Sequence, residues 1–259
     1  MMNNQELIQS LRRISYIALF FIGAIVVISA VEQKQVSDVK AVRIAIEPLA
    51  DGYFLIDSAD IHTTIERSFG FNLEGQQLAI LDVERVERVL EADPFILDAD
   101  VYVTAGNVIK IEVLQREPVL RIIDRNGLNY YLDEQGNRLP LSRHFSARVL
   151  VATGNIPPHV PDFLEREQYL LKDLFELARL VREDPLWKVM VEEIHLQNGS
   201  FVLIPKLGNQ RIVFGPFKDV DDKFRRLRLF YEHAVPYAGW REYKTVNLSY
   251  RGQVVCEKW

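Results

Sequence analysis

The chain has 259 residues, 48% apolar, 26% charged and 10% aromatic, and its 31 basic and 36 acidic side chains leave a net charge of −5. These fractions describe a folded chain of one or two domains and exclude a disordered, collagenous or coiled-coil protein. The acidic balance excludes general nucleic-acid binding, and a single cysteine, Cys256, excludes an intrachain disulfide framework and any multi-cysteine zinc or iron–sulfur site.

Apolar residues are not spread evenly. Ile14 to Val31, with Phe20 and Phe21 near its middle, runs 18 residues without a charge. As a helix it would cover about 27 Å, close to the hydrocarbon core of a bilayer. Arg12 and Arg13 precede it and Glu32 and Lys34 follow, so residues 1–13 are expected in the cytoplasm and the remaining 228 outside it. A cleaved signal peptide is the competing reading. Ile28 suits a cleavage site poorly, and the run exceeds the usual apolar region of roughly 7–15 residues. The residues therefore favour a membrane anchor over 14–31.

Residues 32–118 carry 17 acidic and 8 basic side chains, whereas 119–259 carry 18 and 21. The shift falls at Arg116-Glu117-Pro118 and marks a domain boundary, dividing a module at 37–118 from one at 119–259.

The first module reads β-α-α-β-β. Val39 to Ile46 alternates as a strand and Pro48 ends it. Asp57-Ser58 can cap a helix to Phe69 closed by Gly70, and Asp82 can cap a second helix to Ala92, stopped by Pro94. Phe95 to Val103 alternates apolar and polar residues, Ala105-Gly106-Asn107 turns the chain, and Val108 to Gln115 returns as a strand. One transmembrane span followed by this unit, with Pro94-Phe95 after the second helix and Gln115-Arg116-Glu117-Pro118-Val119 leaving the hairpin, resembles the POTRA module of the bacterial cell-division family FtsQ, also called DivIB.

The second module reads as β-rich with two helices. Asn126-Gly127 joins Val119–Asp124 to Leu128–Leu132, and Asn198-Gly199 joins Val191–Leu196 to Phe201–Pro205, both strong hairpin signals. Short strands are expected at Arg148–Thr153 and Arg211–Phe214 and helices at Leu164–Glu183 and from a cap at Asp219 to His233. Lys244 to Cys256 reads strand–turn–strand. Lys223-Phe224-Arg225-Arg226-Leu227, then Gly239-Trp240, then Val246-Asn247-Leu248-Ser249-Tyr250 are similar to the membrane-distal β domain of the same family. The fold expected is thus α+β: a transmembrane helix, a POTRA module and a mixed β-sheet domain with two helices.

Catalytic chemistry finds little support. The five histidines show no HxH, HxxxH or HExxH spacing, and the 13 glycines form no phosphate-binding loop. Cys256 lacks a local base or oxyanion signature, and Asp98 and Asp100, about 7 Å apart on one strand face, read as solvated acids. No catalytic residue, metal or cofactor is expected.

Two features can bind a partner. The basic helix face holding Lys223, Arg225, Arg226 and Arg228 is either a solvated face or a docking surface for acidic groups. The closing strand pair is either an ordinary edge hairpin or an edge that accepts a strand from another protein. The FtsQ resemblance favours docking. It implies binding of FtsB, which pairs with FtsL, through Leu248, Ser249 and Tyr250 and then Arg251, Gly252, Gln253 and Val254; the basic helix face, with Lys223 and Arg226, is expected to add electrostatic selection. The turn Tyr250-Arg251-Gly252-Gln253 is shorter and more charged than in some relatives, which leaves the register open. Glu192-Glu193 occupies the stretch where a family arginine would be sought. The resemblance further implies a single-pass protein of the bacterial inner membrane at the division septum, non-enzymatic, linking early division proteins to septal peptidoglycan synthesis. A POTRA-containing chaperone or transport adaptor of the cell envelope is the alternative.

Overall fold

The computed structural model describes residues 37–259 together with Tyr16 and residues 19–22. Phe20 and Phe21 are helical and exposed. Ile14, Val31 and the expected span as a whole lie outside the described residues. Among the described residues no helix is long and apolar enough to cross a membrane.

The chain divides into two units, residues 56–115 with the preceding stretch up to Pro48, and residues 116–259 with residues 49–55. In the first unit, β1 (Ala41–Glu47) runs parallel to β3 (Val108–Gln115), and β2 (Ile96–Val103) pairs antiparallel with β3, giving the order β1-β3-β2. Helices α1 (Ser58–Phe69) and α2 (Val83–Glu91) pack on this sheet. The caps form as the residues dictate. Asp57 and Asp60 make a reciprocal capping box, Asp82 accepts the Arg85 N–H, and Gly70 closes α1 at φ 78°. Ile61, Ile65, Val86 and Leu90 pack over Ile109, Ile111 and Val113 in one core. Each such fully buried side chain contributes roughly 1.5–3 kcal/mol of apolar burial.

The junction motif is architectural. Gln115 is buried, where its Nε2 donates to the Glu47 carbonyl at 2.7 Å and its Oε1 accepts the Ile56 N–H at 3.4 Å. In the second unit Arg116 pairs at 3.0 Å with Asp133, whose carboxylate also accepts the backbone N–H groups of Gln135 and Asn137. Residues 49–55, placed by the sequence pattern within 37–118, group with the second unit instead. The Tyr53 ring stacks on Phe145 at 4.0 Å, and the Leu55 carbonyl accepts from Ser142 at 2.5 Å.

The second unit is one nine-stranded mixed sheet. Its strands are β4 (Leu120–Asp124), β5 (Asn129–Leu132), β6 (Arg138–Leu139), β7 (Leu150–Gly154), β8 (Val191–Gln197), β9 (Ser200–Pro205), β10 (Arg211–Gly215), β11 (Tyr243–Asn247) and β12 (Val255–Lys258). Their order is β12-β11-β10-β9-β8-β7-β4-β5-β6, with β4–β7, β7–β8 and β10–β11 parallel. Gly154 sits at φ 103° with the Leu196 carbonyl oxygen 2.1 Å from where a Cβ would be, so the close approach there admits only glycine.

The helices differ from expectation in three places. Helix α3 covers Leu170–Glu183, shorter than the predicted Leu164–Glu183. Asp184-Pro185 ends α3 but also starts α4 (Pro185–Met190). The Asp184 carboxylate accepts the Leu186 and Trp187 N–H groups, and proline at the first turn lacks a donor that the turn would leave unused. Asp219 does not cap α5 (Val220–Leu229) with its side chain, because it stands at φ 50°. The helix then widens into a π turn over Phe230–Ala234 before α6 (Val235–Ala238).

Candidate partner-docking site

β11 ends at Asn247, and the backbone continues beside β10 for one more residue, where Leu248 N–H donates to the Val213 carbonyl at 2.9 Å and the side chain is fully buried. The strand then stops. The Asn247 side chain accepts the Ser249 N–H at 2.9 Å, a local bond that competes with a ladder. Tyr250 to Gln253 make a turn, with Gly252 at φ 68° and the Gln253 N–H reaching the Tyr250 carbonyl. Val254 packs against the core and β12 follows. β12 pairs antiparallel with β11 alone and is one edge of the sheet, the two-residue β6 being the other.

Arg226 of α5 holds this turn. Its Nη1 donates to the carbonyls of Tyr250, at 3.0 Å, and of Gln253, and its Nη2 donates to the carbonyl of Leu248 at 3.2 Å. Its Nε donates to the Asp222 carboxylate at 2.7 Å, one helical turn back. Arg226 and Arg225 together hold the Asp222 carboxyl below its ordinary value by hydrogen bonding. One planar guanidinium therefore bonds three carbonyls of the turn at once, sharing that of Tyr250 with the Gln253 N–H. Above the end of β10, Ser249 Oγ lies 2.8 Å from where a Cβ on Gly215 would be, so a glycine at φ 79° lets the turn seat there. The product is a rigid turn presenting Tyr250 at 56% exposure beside an edge strand.

Residues 117–257 match the model of the C-terminal-related domain of FtsQ/DivIB, more than half of the chain. The chain belongs to the FtsQ/DivIB family. Residues 38–114 match a POTRA-like domain, and no curated protein matches the chain by sequence. Membership makes this a division protein, of a family found in the membrane at the septum and built from scaffold modules rather than catalytic ones.

Within this FtsQ/DivIB member the expected docking residues divide. Leu248 is core, Val254 is half-buried, and Ser249, Tyr250, Arg251, Gly252 and Gln253 are exposed. Tyr250 to Gln253 lie in the turn that the strand–turn–strand pattern of Lys244 to Cys256 predicts, and the strand before it ends at Asn247, short of the Val246–Tyr250 stretch matched to a family strand. Lys223 and Arg226 do not form an outward basic face. Lys223 is 5% exposed, donates to the Pro216 carbonyl at 2.7 Å and lies over the Phe214 ring, and burial lowers its pKa. Arg226 is 8% exposed. Both are turned inward because α5 presents that face to β10 and the turn. The outward cations are Arg225, paired with Asp222, and Arg228, paired with Asp184 at 2.5 Å. Sequence reasoning missed Asp222 and Gly215. The spacing of Asp222 four residues before Arg226 was the available signal for the first.

Cys256, His195 and His159 are held by their surroundings, whereas Asp98 and Asp100 face solvent. Cys256 packs against the core, and burial pushes its thiol up. His195 Nδ1 lies 2.6 Å from the Thr153 hydroxyl, which in turn is 2.5 Å from the Glu193 carboxylate, and His159 bonds the Gly136 carbonyl. Asp98 and Asp100 are exposed on β2.

Proposed function

We propose that this protein is a bitopic, non-enzymatic scaffold of the division complex that binds FtsB/FtsL-type partners at β12 and the turn before it. In this reading it links early division proteins to septal peptidoglycan synthesis, with the N-terminal tail cytoplasmic, residues 14–31 in the inner membrane and the rest periplasmic. The observation that carries it is the rigid Arg226-held turn presenting Tyr250 beside an edge strand.

The mechanism is strand addition. β12 has four residues, so a guest strand gains only a few main-chain hydrogen bonds, each about 0.5–1.5 kcal/mol net. That is too little for a lasting complex. An aromatic anchor such as Tyr250 supplies the missing energy, typically 2 kcal/mol or more for a hot-spot side chain. Arg226 lowers the ordering cost by fixing the turn before the partner arrives. Tyr250→Ala is expected to weaken binding of an FtsB-type peptide about 30-fold with the thermal midpoint unchanged. Unchanged affinity in a titration would remove the reading.

A further inference from the structure

Each side chain of β12 stands at the end of a row that runs across β10 and β11. Val255 continues the row of Val213 and Asn247, and Glu257 the row of Arg211 and Thr245. Both rows lie on the face of the sheet turned away from the helices, because the row between them, Ile212, Val246 and Cys256, packs into the core. Residues directly opposite one another in neighbouring strands share a face and interact through their side chains. A strand added to β12 therefore lengthens all three rows by one residue.

The row ends differ in the neighbour they favour. Val255 is 43% exposed and gains by apolar cover, and Cys256 lies half-buried at the margin of the core. Glu257 is exposed, and its carboxylate accepts the Thr245 hydroxyl at 3.3 Å, a tether within its own row. Lys258 alternates to the other face and is paired with Glu242 at 2.7 Å. Of the two charges on β12, only Glu257 is left without an ion-pair partner among the described residues. A charge on an edge strand ordinarily blunts the edge. One unpaired charge of one sign, in line with two apolar row ends, instead rejects some strands and admits others.

We propose that Glu257 sets the specificity of this edge. The guest strand carries a basic side chain facing Glu257 and an apolar side chain two residues along facing Val255. Between them, on the core face, a second apolar side chain lies beside Cys256. The spacing is the same for a parallel and an antiparallel guest, and only the order reverses. An exposed pair of this kind adds little strength, but a strand with an acid in the facing position is repelled. The inference rests on the reading of β12 as the docking edge and adds the chemistry of the strand it accepts.

The test is titration of an FtsB-type peptide onto the full chain in detergent micelles, with the wild type, Glu257→Gln and Glu257→Lys. Glu257→Gln is expected to weaken binding about threefold and Glu257→Lys about tenfold, with thermal midpoints unchanged. Each basic residue of the peptide is then changed to Glu in turn. One of these peptides is expected to bind Glu257→Lys more tightly than the wild type, and the position it changes is expected to have an apolar residue two places away. Equal affinity of the wild type and Glu257→Lys for the original peptide, or no charge-reversed peptide that prefers Glu257→Lys, overturns the inference and leaves the docking edge standing. Absence of binding to the wild type removes both.

Discussion

The two units treat their sheet edges in opposite ways. In the POTRA-like unit a glutamate takes one backbone donor on each edge strand. The Glu74 carboxylate accepts the Val42 N–H of β1 at 2.9 Å, and the Glu87 carboxylate, reaching from α2, accepts the Val101 N–H of β2 at 2.8 Å. An edge strand with one donor taken by a carboxylate placed against it is a poorer template for another chain. In the β domain the edge strand β12 is paired on one side only, and the residues before it are fixed in place by Arg226. An open edge is a liability unless it has a use. The contrast teaches that two devices bias where a strand can add: carboxylates that take a donor on β1 and on β2, and an arginine that prepares the approach to β12, while the other edge of the nine-stranded sheet, β6, is only two residues long.

The largest expected effect comes from breaking the prepared side. Arg226→Met keeps much of the apolar stem but removes the guanidinium donor from the carbonyls of Leu248, Tyr250 and Gln253 and leaves Asp222 with Arg225 alone. A loss of roughly 3 kcal/mol is expected from the denaturant midpoint, since hydrogen bonds to a charged group are worth about 1.5–3 kcal/mol each and water replaces part of them. Arg226→Lys is expected to recover little of it, because one ammonium cannot span three carbonyls in a plane.

Breaking the covered side should cost less and change behaviour more. Glu87→Leu frees the Val101 N–H at about 1 kcal/mol of stability and should make the chain associate with itself at high concentration, read by analytical ultracentrifugation. Glu87→Gln, which keeps an acceptor, should remain as dispersed as the wild type.

Acid separates the two devices next. The Asp222 carboxyl is lowered by its bonds to Arg226 and Arg225, so its folded value lies below the unfolded one, near 3.8. Its contribution is therefore complete above the unfolded value and is lost as pH falls through the lowered folded value. Denaturant midpoints measured at pH 6 and at pH 3 should differ by less in Asp222→Asn than in the wild type. The smallest effect concerns Cys256. Its thiol is raised by burial, so alkylation at neutral pH should be slower than that of a free thiol and should quicken in Arg226→Met as β12 loosens.

Local chemistry made much of the fold legible. Asp57, Asp82 and Gly70 act within one turn of where they stand, and Asn126-Gly127 and Asn198-Gly199 sit between strands that pair with each other. The illegible parts depend on partners far along the chain. The turn at Tyr250 to Gln253 is legible, but not what holds it: Arg226, 22 to 27 residues earlier, takes the carbonyls of Leu248, Tyr250 and Gln253. Lys223 and Arg226 look like a charged face when α5 is read alone, and only the packing of α5 on β10 and the turn shows that this face points inward. Asp184-Pro185 reads as a stop because proline ends one helix, and its role in starting the next needs the carboxylate geometry. Residues 49–55 follow β1 in sequence, but Tyr53 and Leu55 find Phe145 and Ser142 about 90 residues away.

The most direct test of strand addition at β12 rather than at β1 or β2 is amide hydrogen exchange of the full chain with and without an FtsB-type peptide. The account predicts slowed exchange in β12 and in the Tyr250–Gln253 turn, with the amides of β1 and β2, Val42 and Val101 among them, unchanged. Protection appearing in β1 or β2, or no protection in β12 at saturating peptide, would contradict it.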